Sequence, residues 1–460
     1  MFDDADRPRT DERTRTALAC LEAGIEAAHP RTVVRDVVRL DGDGGGGDDG
    51  DDSDGETLHV RDRAYDLDAY DEVVVLGGGN AAGHVAAALE SVLGERLDGG
   101  VVVTDDPVDT DRVDVREGDH PVPSRRGVAG ARAVLESAGA AGEETLVLAV
   151  VTGGGSALLP APAGEVTLSE LRATTDALLE SGATIHEINA VRKRCSALKG
   201  GRLALEAAPA TVAGLVLSDV VGNDHSVVAS GPTAPDDSTT ETARSVLDRY
   251  DVDAPSGVTD RLERTAAGAV PETPGADHPA FDRVENHLLA DGFVAIDAAA
   301  AAAADRGYET LVLSSRVRGS AREAATTHAA VAEEIEATGN PVAPPAVVLS
   351  GGETTVAVDG AGEGGPNQEF ALGAALDLDA ERTTVAAVDT DGIDGATDAA
   401  GAVVDGSTVD SRAAVADARA ALADNDAYPL LAAEGALLDT GPTGTNVNDL
   451  RVVVVGEPSG

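Results

Sequence analysis

The sequence is poor in cysteine, with only Cys20 and Cys195 among 460 residues. Two isolated cysteines with no CxxC pair and no zinc-ligand spacing exclude a disulfide framework and fit a reducing cytoplasm. No run approaches the roughly 20 apolar residues that a membrane span requires. The charged N-terminus also has no apolar signal-peptide core. We therefore expect a soluble, cytoplasmic protein with no membrane partner and no redox chemistry.

Positive charge is also scarce, because 34 basic residues stand against 82 acidic ones and give a formal net charge of −48. Nucleic-acid binding needs a basic patch that neutralises phosphates, so no nucleic-acid partner is expected. A hydrophobic content of 42% argues against disorder. A folded, halophilic protein accounts for both facts, since at about 1 M salt the Debye length is only about 3 Å and self-repulsion is screened.

Only two lysines occur, Lys193 and Lys199, and both lie in the segment NAVRKRCSALKGGRLA. This segment concentrates positive charge in an acidic chain, which predicts an electrostatic focus for a phosphate or a substrate carboxylate. A solvated basic helix is the alternative. We assign catalytic charge neutralisation to Arg192, Lys193 and Lys199, and substrate binding to the neighbouring Glu187 and Asn189.

Short apolar runs alternate with amphipathic stretches from residue 71 to about residue 220, and the alternation resumes beyond residue 286. This pattern predicts an α/β fold class, with a Rossmann-like parallel sheet domain followed by a second, smaller α/β domain. TVVRDVVRL is interpreted as a strand, and AVVLSGG with TTVAVDG as two strands. The expected division is residues 1–240 for the first domain, with a flexible acidic loop at 42–55, then a linker at 241–285 and the second domain at 286–460.

Two glycine clusters follow predicted strands, GGGNAAG at 77–83 and TGGGS at 152–156. Glycines at such junctions let backbone N–H groups point at a phosphate. The first cluster also fits a dinucleotide-binding fold. Close helix packing is the structural alternative for the first cluster, and a plain tight turn for the second. The candidate cofactor-binding residues are Gly78, Gly79, Asn80, Gly153, Gly154, Gly155 and Ser156.

Acidic and amide side chains follow several later strands. Carboxylates at the carboxyl end of a parallel strand can hold Mg²⁺ or accept a hydroxyl proton, whereas a helix cap or turn is the alternative. Asp219 and Asp391 are the candidates for a catalytic role. The candidate metal ligands are Asp219, Asp224 and Asp389, and the substrate-binding candidates in the second domain are Glu353, Asn367, Gln368 and Asn446.

In this order, the segments resemble the glycerate 2-kinase family whose C-terminal part is called the MOFRL domain. The resemblance implies a two-domain α/β kinase with its active site in the interdomain cleft. It also implies that ATP and Mg²⁺ are used to phosphorylate the 2-hydroxyl of D-glycerate. The most specific stretches are GDHPVP (118–123), TGGGSALLPAP (152–162), SGATIHEINAVRK (181–193), SDVVGND (218–224), GGPNQE (364–369), DGIDGATDAAGA (391–402) and GPTGTNVNDL (441–450).

The sequence departs from the family pattern at several positions, most of which carry charged residues in the family. Asn80 replaces a lysine, Pro366 an arginine and Arg194 a histidine, while Asn223 and Ile393 replace an aspartate and a threonine. These departures keep three alternatives open: a related small hydroxy acid as substrate, an NAD(P)-dependent hydroxypyruvate reductase, and a non-catalytic protein that binds a hydroxy acid or nucleotide. The oligomeric state is open too, with a homodimer as one alternative.

Overall fold

The computed structural model describes residues 1–2, 11–41, 56–378 and 382–456. The chain forms two compact units. We call Pro30–Leu289 the central unit, and Met1–His29 together with Ala290–Gly460 the terminal unit. The acidic loop expected to be flexible at 42–55 lies outside the described residues.

The described strands are numbered in chain order. They are β1 (Val38–Asp41), β2 (Thr57–Val60), β3 (Arg63–Asp66), β4 (Glu72–Gly78), β5 (Gly99–Thr104), β6 (Val113–Glu117), β7 (Thr145–Thr152), β8 (Thr211–Leu217), β9 (Val284–Ala290), β10 (Glu309–Ser320), β11 (Ala346–Thr355), β12 (Thr383–Asp389), β13 (Gly401–Asp405), β14 (Leu437–Leu438) and β15 (Asp449–Val455).

The described helices follow the same scheme. They are α1 (Glu12–Ala28), α2 (Pro30–Val37), α3 (Ala82–Leu93), α4 (Arg125–Ala140), α5 (Gly155–Leu158), α6 (Leu168–Glu180), α7 (Ile185–Arg194), α8 (Arg202–Ala207), α9 (Thr240–Arg249), α10 (Ser256–Ala266), α11 (Gly292–Ala304), α12 (Ala321–Thr338), α13 (Pro366–Asp377), α14 (Arg412–Ala423) and α15 (Ala427–Ala433). Short 3₁₀ turns occupy Leu67–Ala69, Gly94–Arg96, Val228–Ser230 and Pro279–Arg283. None of the helices in these ranges is both long and apolar enough to cross a lipid bilayer.

The main sheet of the central unit has the strand order β6-β5-β4-β7-β8-β9. The pairs from β6 to β8 are parallel. All eight residues of β7 are buried, as expected for a parallel strand covered on both faces. Counted along the chain, the strands of this sheet follow the Rossmann order, so the order reverses between β4 and β7. The carboxyl ends of β4 and β7 therefore form the topological switch point at which such sheets bind ligands.

The segment 241–285, which we expected to be a linker, contains α9 and α10. Ala243 and Val246 of α9 and Val258 of α10 are buried in one apolar cluster with Ile188 of α7. The polar, proline-rich stretches on either side suggested a linker, but the apolar spacing between them forms a packed helical layer. This segment belongs to the central unit.

The terminal unit contains a second sheet with the order β10-β11-β15-β12-β13-β14. Strands β10 and β11 are parallel, whereas β15 pairs antiparallel with β11 and β12. Helix α1 packs on α11 so closely that a Cβ at Gly24 would lie 2.8 Å from the Ala295 carbonyl oxygen. Residues 12–28 therefore belong to this unit, although we expected them in the first domain.

Two local predictions of strands were wrong. TVVRDVVRL forms most of α2 and then β1, because Pro30 is well suited to a first helical turn and Val33 and Val34 share a buried helical face. AVVLSGG and the first two residues of TTVAVDG lie in the single strand β11 instead of forming two strands. The predicted helix from Ala321 to Thr338 is confirmed by α12.

Candidate functional site

The two glycine-containing turns meet at the switch point of the central sheet. The first follows β4 and the second, which we call the triglycine turn (Gly153–Gly155), follows β7. The Asn80 backbone N–H donates to the Gly153 carbonyl over 2.8 Å. Gly79 has φ +141°, and a Cβ there would lie 2.6 Å from the same carbonyl oxygen. The absence of a side chain at Gly79 thus lets the turns touch.

The glycines of the triglycine turn leave room for side chains of other segments. A Cβ at Gly153 would overlap the Asp219 carboxylate, and one at Gly154 would overlap the Asn80 amide. A Cβ at Gly155 would lie 2.6 Å from the Ala229 Cβ. The glycine run therefore assembles Asn80, Asp219 and Ala229 around one turn. Phosphate binding by Gly78, Gly79 and the triglycine turn stays a prediction.

Asp219 lies on the loop that follows β8, against the triglycine turn. The backbone N–H of Gly154 donates to its carboxylate, yet burial dominates and raises the pKa of Asp219 to about 6. Asp224, on the same loop, is exposed and accepts the Ser226 N–H over 2.9 Å. Asp219 is thus a half-buried acid at the switch-point edge, and Asp224 has the contact of a turn residue.

Two of the basic residues of α7 share one buried carboxylate. Lys193 Nζ donates to Asp236 Oδ1 over 3.1 Å, and Arg194 Nη1 donates to Asp236 Oδ2 over 2.7 Å. Burial alone would raise the pKa of Asp236, but Arg194 and Lys193 outweigh it and hold that pKa below its ordinary value. Arg194 Nη2 also lies 3.4 Å from the Glu272 carboxylate, so the two cations face two carboxylates within the protein.

The other two basic candidates are placed differently. Arg192 Nη1 donates to Asn189 Oδ1 over 2.9 Å, and Lys199 Nζ donates to the Leu159 carbonyl over 2.8 Å. Burial lowers the pKa of Arg192 to about 10. Burial, followed by the charge of Arg192, lowers the pKa of Lys199 to about 7. Among the described residues no carboxylate offsets either charge. These are desolvated cations beside the triglycine turn.

A hydrogen-bonded chain of side chains links the triglycine turn to α7. Ser156 Oγ and Ser230 Oγ lie 2.7 Å apart, and Ser230 Oγ donates to Asn189 Oδ1 over 3.0 Å. Asn189 is 2% exposed, and its Nδ2 has no hydrogen-bond partner. We did not predict Ser230 from the sequence, where it was only part of the turn that follows SDVVGND.

Glu187 has the contacts of a helix-capping residue. Its carboxylate accepts the Thr184 N–H over 2.9 Å and the Tyr250 hydroxyl over 2.9 Å, and it also pairs with Arg249. The Thr184 N–H is the largest of the causes that lower the pKa of Glu187 to about 2. The described contacts of Glu187 do not join it to the Ser156–Ser230–Asn189 chain, so its predicted role in substrate binding stays a prediction.

Asn80, which replaces the family lysine, contacts an acidic residue at the end of β5. Its Nδ2 donates to Asp105 Oδ2 over 2.7 Å. His120 Nδ1 lies 4.0 Å from the same oxygen. A carboxylate after the second strand of a Rossmann sheet is where a ribose is held in dinucleotide-binding folds. This arrangement keeps the reductase alternative open.

In the terminal unit, Asn367 and Gln368 open helix α13. Their backbone N–H groups donate to the Asp394 carboxylate over 3.0 and 2.8 Å, and Asn367 Nδ2 donates to Asp449 over 2.7 Å. Burial raises the pKa of Asp394 to about 7. Pro366 occupies the first position of this helix, where a proline costs no hydrogen bond. An internal carboxylate thus already occupies this helix end.

The remaining candidates of the terminal unit are spread over loops and a strand end. Burial and the charge of Asp391 raise the pKa of Asp389 well above its ordinary value. Asp391 accepts the Ile393 N–H over 2.8 Å, Asn446 accepts the Asn448 N–H over 3.2 Å, and Glu353 is exposed on β11. No cluster of three or more His, Cys, Asp or Glu residues in the described ranges is arranged to hold a metal. The metal-ligand assignments stay predictions.

Two protein-family models match the sequence. A domain of unknown function (DUF4147) matches residues 16–263, and the MOFRL family matches residues 346–449. The first model covers the quoted segments before residue 263, and the second covers those from residue 364 to residue 449.

Curated relatives match most of the chain. Glycerate 2-kinase from Pyrococcus horikoshii is 37% identical, over 95% of this chain and 96% of that protein. D-glycerate 2-kinase from Thermotoga maritima is 41% identical, over 84% of this chain and 91% of that protein. A putative hydroxypyruvate reductase from Agrobacterium vitis is 42% identical, over 83% of this chain and 87% of that protein.

A solved structure supports the fold. The crystal structure of a glycerate kinase from Thermotoga maritima has a TM-score of 0.80 and 37% identity, and it covers 96% of this chain and 99% of that chain. This similarity and the Rossmann strand order confirm the predicted α/β fold class.

Proposed function

This chain belongs to the glycerate 2-kinase family, and we propose that it transfers a phosphoryl group from ATP to the 2-hydroxyl of D-glycerate. The names of the relatives from Pyrococcus and Thermotoga support this reaction. The observation that carries the proposal is the pair formed by the half-buried Arg192 and the buried Lys199, with no compensating carboxylate among the described residues. In a chain of net charge −48, such a pair offers a place where a bound anion is electrostatically favoured.

Phosphoryl transfer depends mainly on positioning and on neutralising charge, so the proposed roles follow from these contacts. The Arg192 guanidinium can bind phosphate oxygens in a forked geometry, while Lys199 adds a compact charge. Both act more strongly in a desolvated site than they would in water. The orphan Nδ2 of Asn189 offers a further donor for an anion. Lys193 is paired with Asp236, so we leave it outside the proposed phosphate site.

We assign proton transfer to Asp219. A carboxylate whose pKa is near 6 accepts a proton from a hydroxyl more readily near neutral pH than an ordinary aspartate does. Mg²⁺ needs only one or two carboxylates besides phosphates and water, so the absence of a described multi-ligand cluster is compatible with an ATP-bound ion. We assign Asp224, on the same loop as Asp219, as the carboxylate that would bind this Mg²⁺ ion. When bound, Mg²⁺ would neutralise phosphate charge.

A nicotinamide-dependent hydroxypyruvate reductase is the second candidate. It is favoured by the name of the Agrobacterium relative and by Asp105 at the end of β5, where a ribose would be held. Such an enzyme would oxidise NAD(P)H in the presence of hydroxypyruvate and would need no ATP. The two functions are therefore separable by their co-substrates.

The test is an assay of ADP release in about 2 M KCl, where charge screening is nearly complete. Mg-ATP is supplied with D-glycerate, L-glycerate or hydroxypyruvate, and a reaction without an acceptor measures ATP hydrolysis. We expect release that depends on D-glycerate, with 2-phosphoglycerate identified by ³¹P NMR. If hydroxypyruvate instead oxidised NADH in the absence of ATP, the kinase assignment would be rejected in favour of the reductase. Binding of ATP without turnover of any acid would indicate a non-catalytic homologue.

A further inference from the structure

The segment that follows Asp224 contains an unusual left-handed backbone turn. Ala229 has φ 49° and ψ 21°, Ser230 has φ 63°, and Gly231 has φ 64°. A left-handed conformation brings Cβ close to the following carbonyl oxygen, so it costs free energy for every residue except glycine. Two consecutive non-glycine residues in this region are a strained backbone that its surroundings must hold in place.

Neighbouring segments fix this turn on two sides. The Gly200 N–H donates to the Ser230 carbonyl over 3.0 Å, and the Gly201 N–H donates to the Gly231 carbonyl over 2.7 Å. On the other side, the Ala229 Cβ fills the space that a side chain at Gly155 would need. The strained turn is therefore held between the segment after Lys199 and the triglycine turn.

The Ser230 hydroxyl is fully buried and saturated with hydrogen bonds. It donates to Asn189 Oδ1 over 3.0 Å and accepts from Arg192 Nη1 over 3.4 Å. Ser156 Oγ lies 2.7 Å away. One hydroxyl thus connects the triglycine turn to the uncompensated guanidinium of α7.

We propose that Ser230 is a positioning residue, which fixes the Arg192 guanidinium and the Ser156 hydroxyl relative to each other on the phosphate-binding side of the triglycine turn. This inference rests on the proposed function, since it assigns Ser230 to the same anion site. Glycine would adopt this backbone without strain, so a serine here retains its hydroxyl against a conformational cost. Such strain indicates that the position of the Ser230 hydroxyl is important at the site.

The test compares Ser230→Gly with Ser230→Ala. Both remove the hydroxyl and its hydrogen bonds, but only Ser230→Gly also removes the backbone strain. We therefore expect Ser230→Gly to be more resistant to urea than Ser230→Ala. Both variants should lower kcat by about 10- to 100-fold, because misplacement of a charge-neutralising group slows the chemical step. The KM for D-glycerate should change less than kcat in both variants.

Three results would overturn the proposal. One is an unchanged kcat in Ser230→Gly, and another is a loss in Ser230→Gly that Ser230→Ala does not share, which would make backbone geometry alone responsible. The third is a Ser230→Gly protein that is less stable than Ser230→Ala, since only glycine relieves the strain. If the wild-type protein has no kinase activity, the proposed function fails. The variants are then compared by the rise in melting temperature that ATP produces, and an equal rise in wild type and Ser230→Gly rejects the positioning role.

Discussion

Helix α7 and the residues after it contain two pairs of basic side chains with opposite electrostatic surroundings. Lys193 and Arg194 share the buried carboxylate of Asp236. Arg192 and Lys199 donate only to neutral oxygens in the described contacts and are desolvated beside the triglycine turn. Breaking a buried ion pair destabilises a fold, whereas an uncompensated buried cation costs stability until an anion binds. The first pair therefore supports the structure, and the second is the pair that we propose binds an anion.

The largest effect should come from removing the carboxylate of the compensated pair. Asp236→Ala leaves Lys193 buried without a counter-charge and leaves Arg194 with only the exposed carboxylate of Glu272, so we expect the free energy of unfolding to fall by about 3–5 kcal/mol. Urea unfolding in concentrated KCl measures it. Asp237→Ala, at the exposed neighbouring position, is the matched control and should stay within about 0.5 kcal/mol of wild type. Equal stability of the two variants would contradict the structural role of the pair.

The next effect should appear in activity. Arg192→Gln removes an uncompensated charge, so we expect kcat/KM for ATP to fall by about 100-fold, or about 2.7 kcal/mol, while the free energy of unfolding is unchanged or rises. Arg194→Gln should lower the free energy of unfolding and leave kcat/KM for ATP nearly unchanged. It leaves Asp236 with one cation fewer, but Arg194 is not part of the proposed anion site. Steady-state kinetics and urea unfolding on both variants measure this. An Arg192→Gln protein that is destabilised but fully active would contradict the proposed difference between the two pairs of basic residues.

A smaller effect concerns pH. The pKa of Lys199 is about 7 in the folded protein against an ordinary value of 10.5. The unfolded chain therefore binds more protons between these values, and stability should rise with pH across that window. Between about pH 7 and pH 8 this rise amounts to about 1 kcal/mol, and Lys199→Met should lack it. Urea unfolding of both proteins across this range measures the difference. The same slope in both proteins would show that Lys199 is not the titrating group.

The architecture of the central sheet was largely predictable from the sequence, because the buried runs of β4 and β7 read as continuous apolar segments. Residues 241–285 were misjudged because breaker residues drew more weight than the spacing of Ala243, Val246 and Val258, which forms a packed face only against α7. The lysine count pointed to one segment, but it could not separate the basic residues that pair with carboxylates from those that do not. Lys193 meets Asp236 across 43 residues of chain, a contact that no local pattern reveals.

The candidate site was less predictable than the fold. The triglycine motif marked its turn, but the reason for three glycines lies in Asn80, Asp219 and Ala229, which come from three distant segments. Ser230 was missed because its role depends on a positive φ and on a hydrogen bond to Asn189, neither of which composition or spacing encodes. The helix-capping contacts of Glu187 likewise require knowledge of where α7 begins.

The pairing of α1 with the last strands of the terminal unit has a consequence for how the protein is made. The Thr445 hydroxyl donates to the Ala28 carbonyl over 2.7 Å, across 417 residues of chain. During translation the whole central unit is synthesised before α11 and β15, the partners of α1. Since domains generally fold as units during synthesis, the apolar face of α1 must wait for the end of the chain while the central unit folds first.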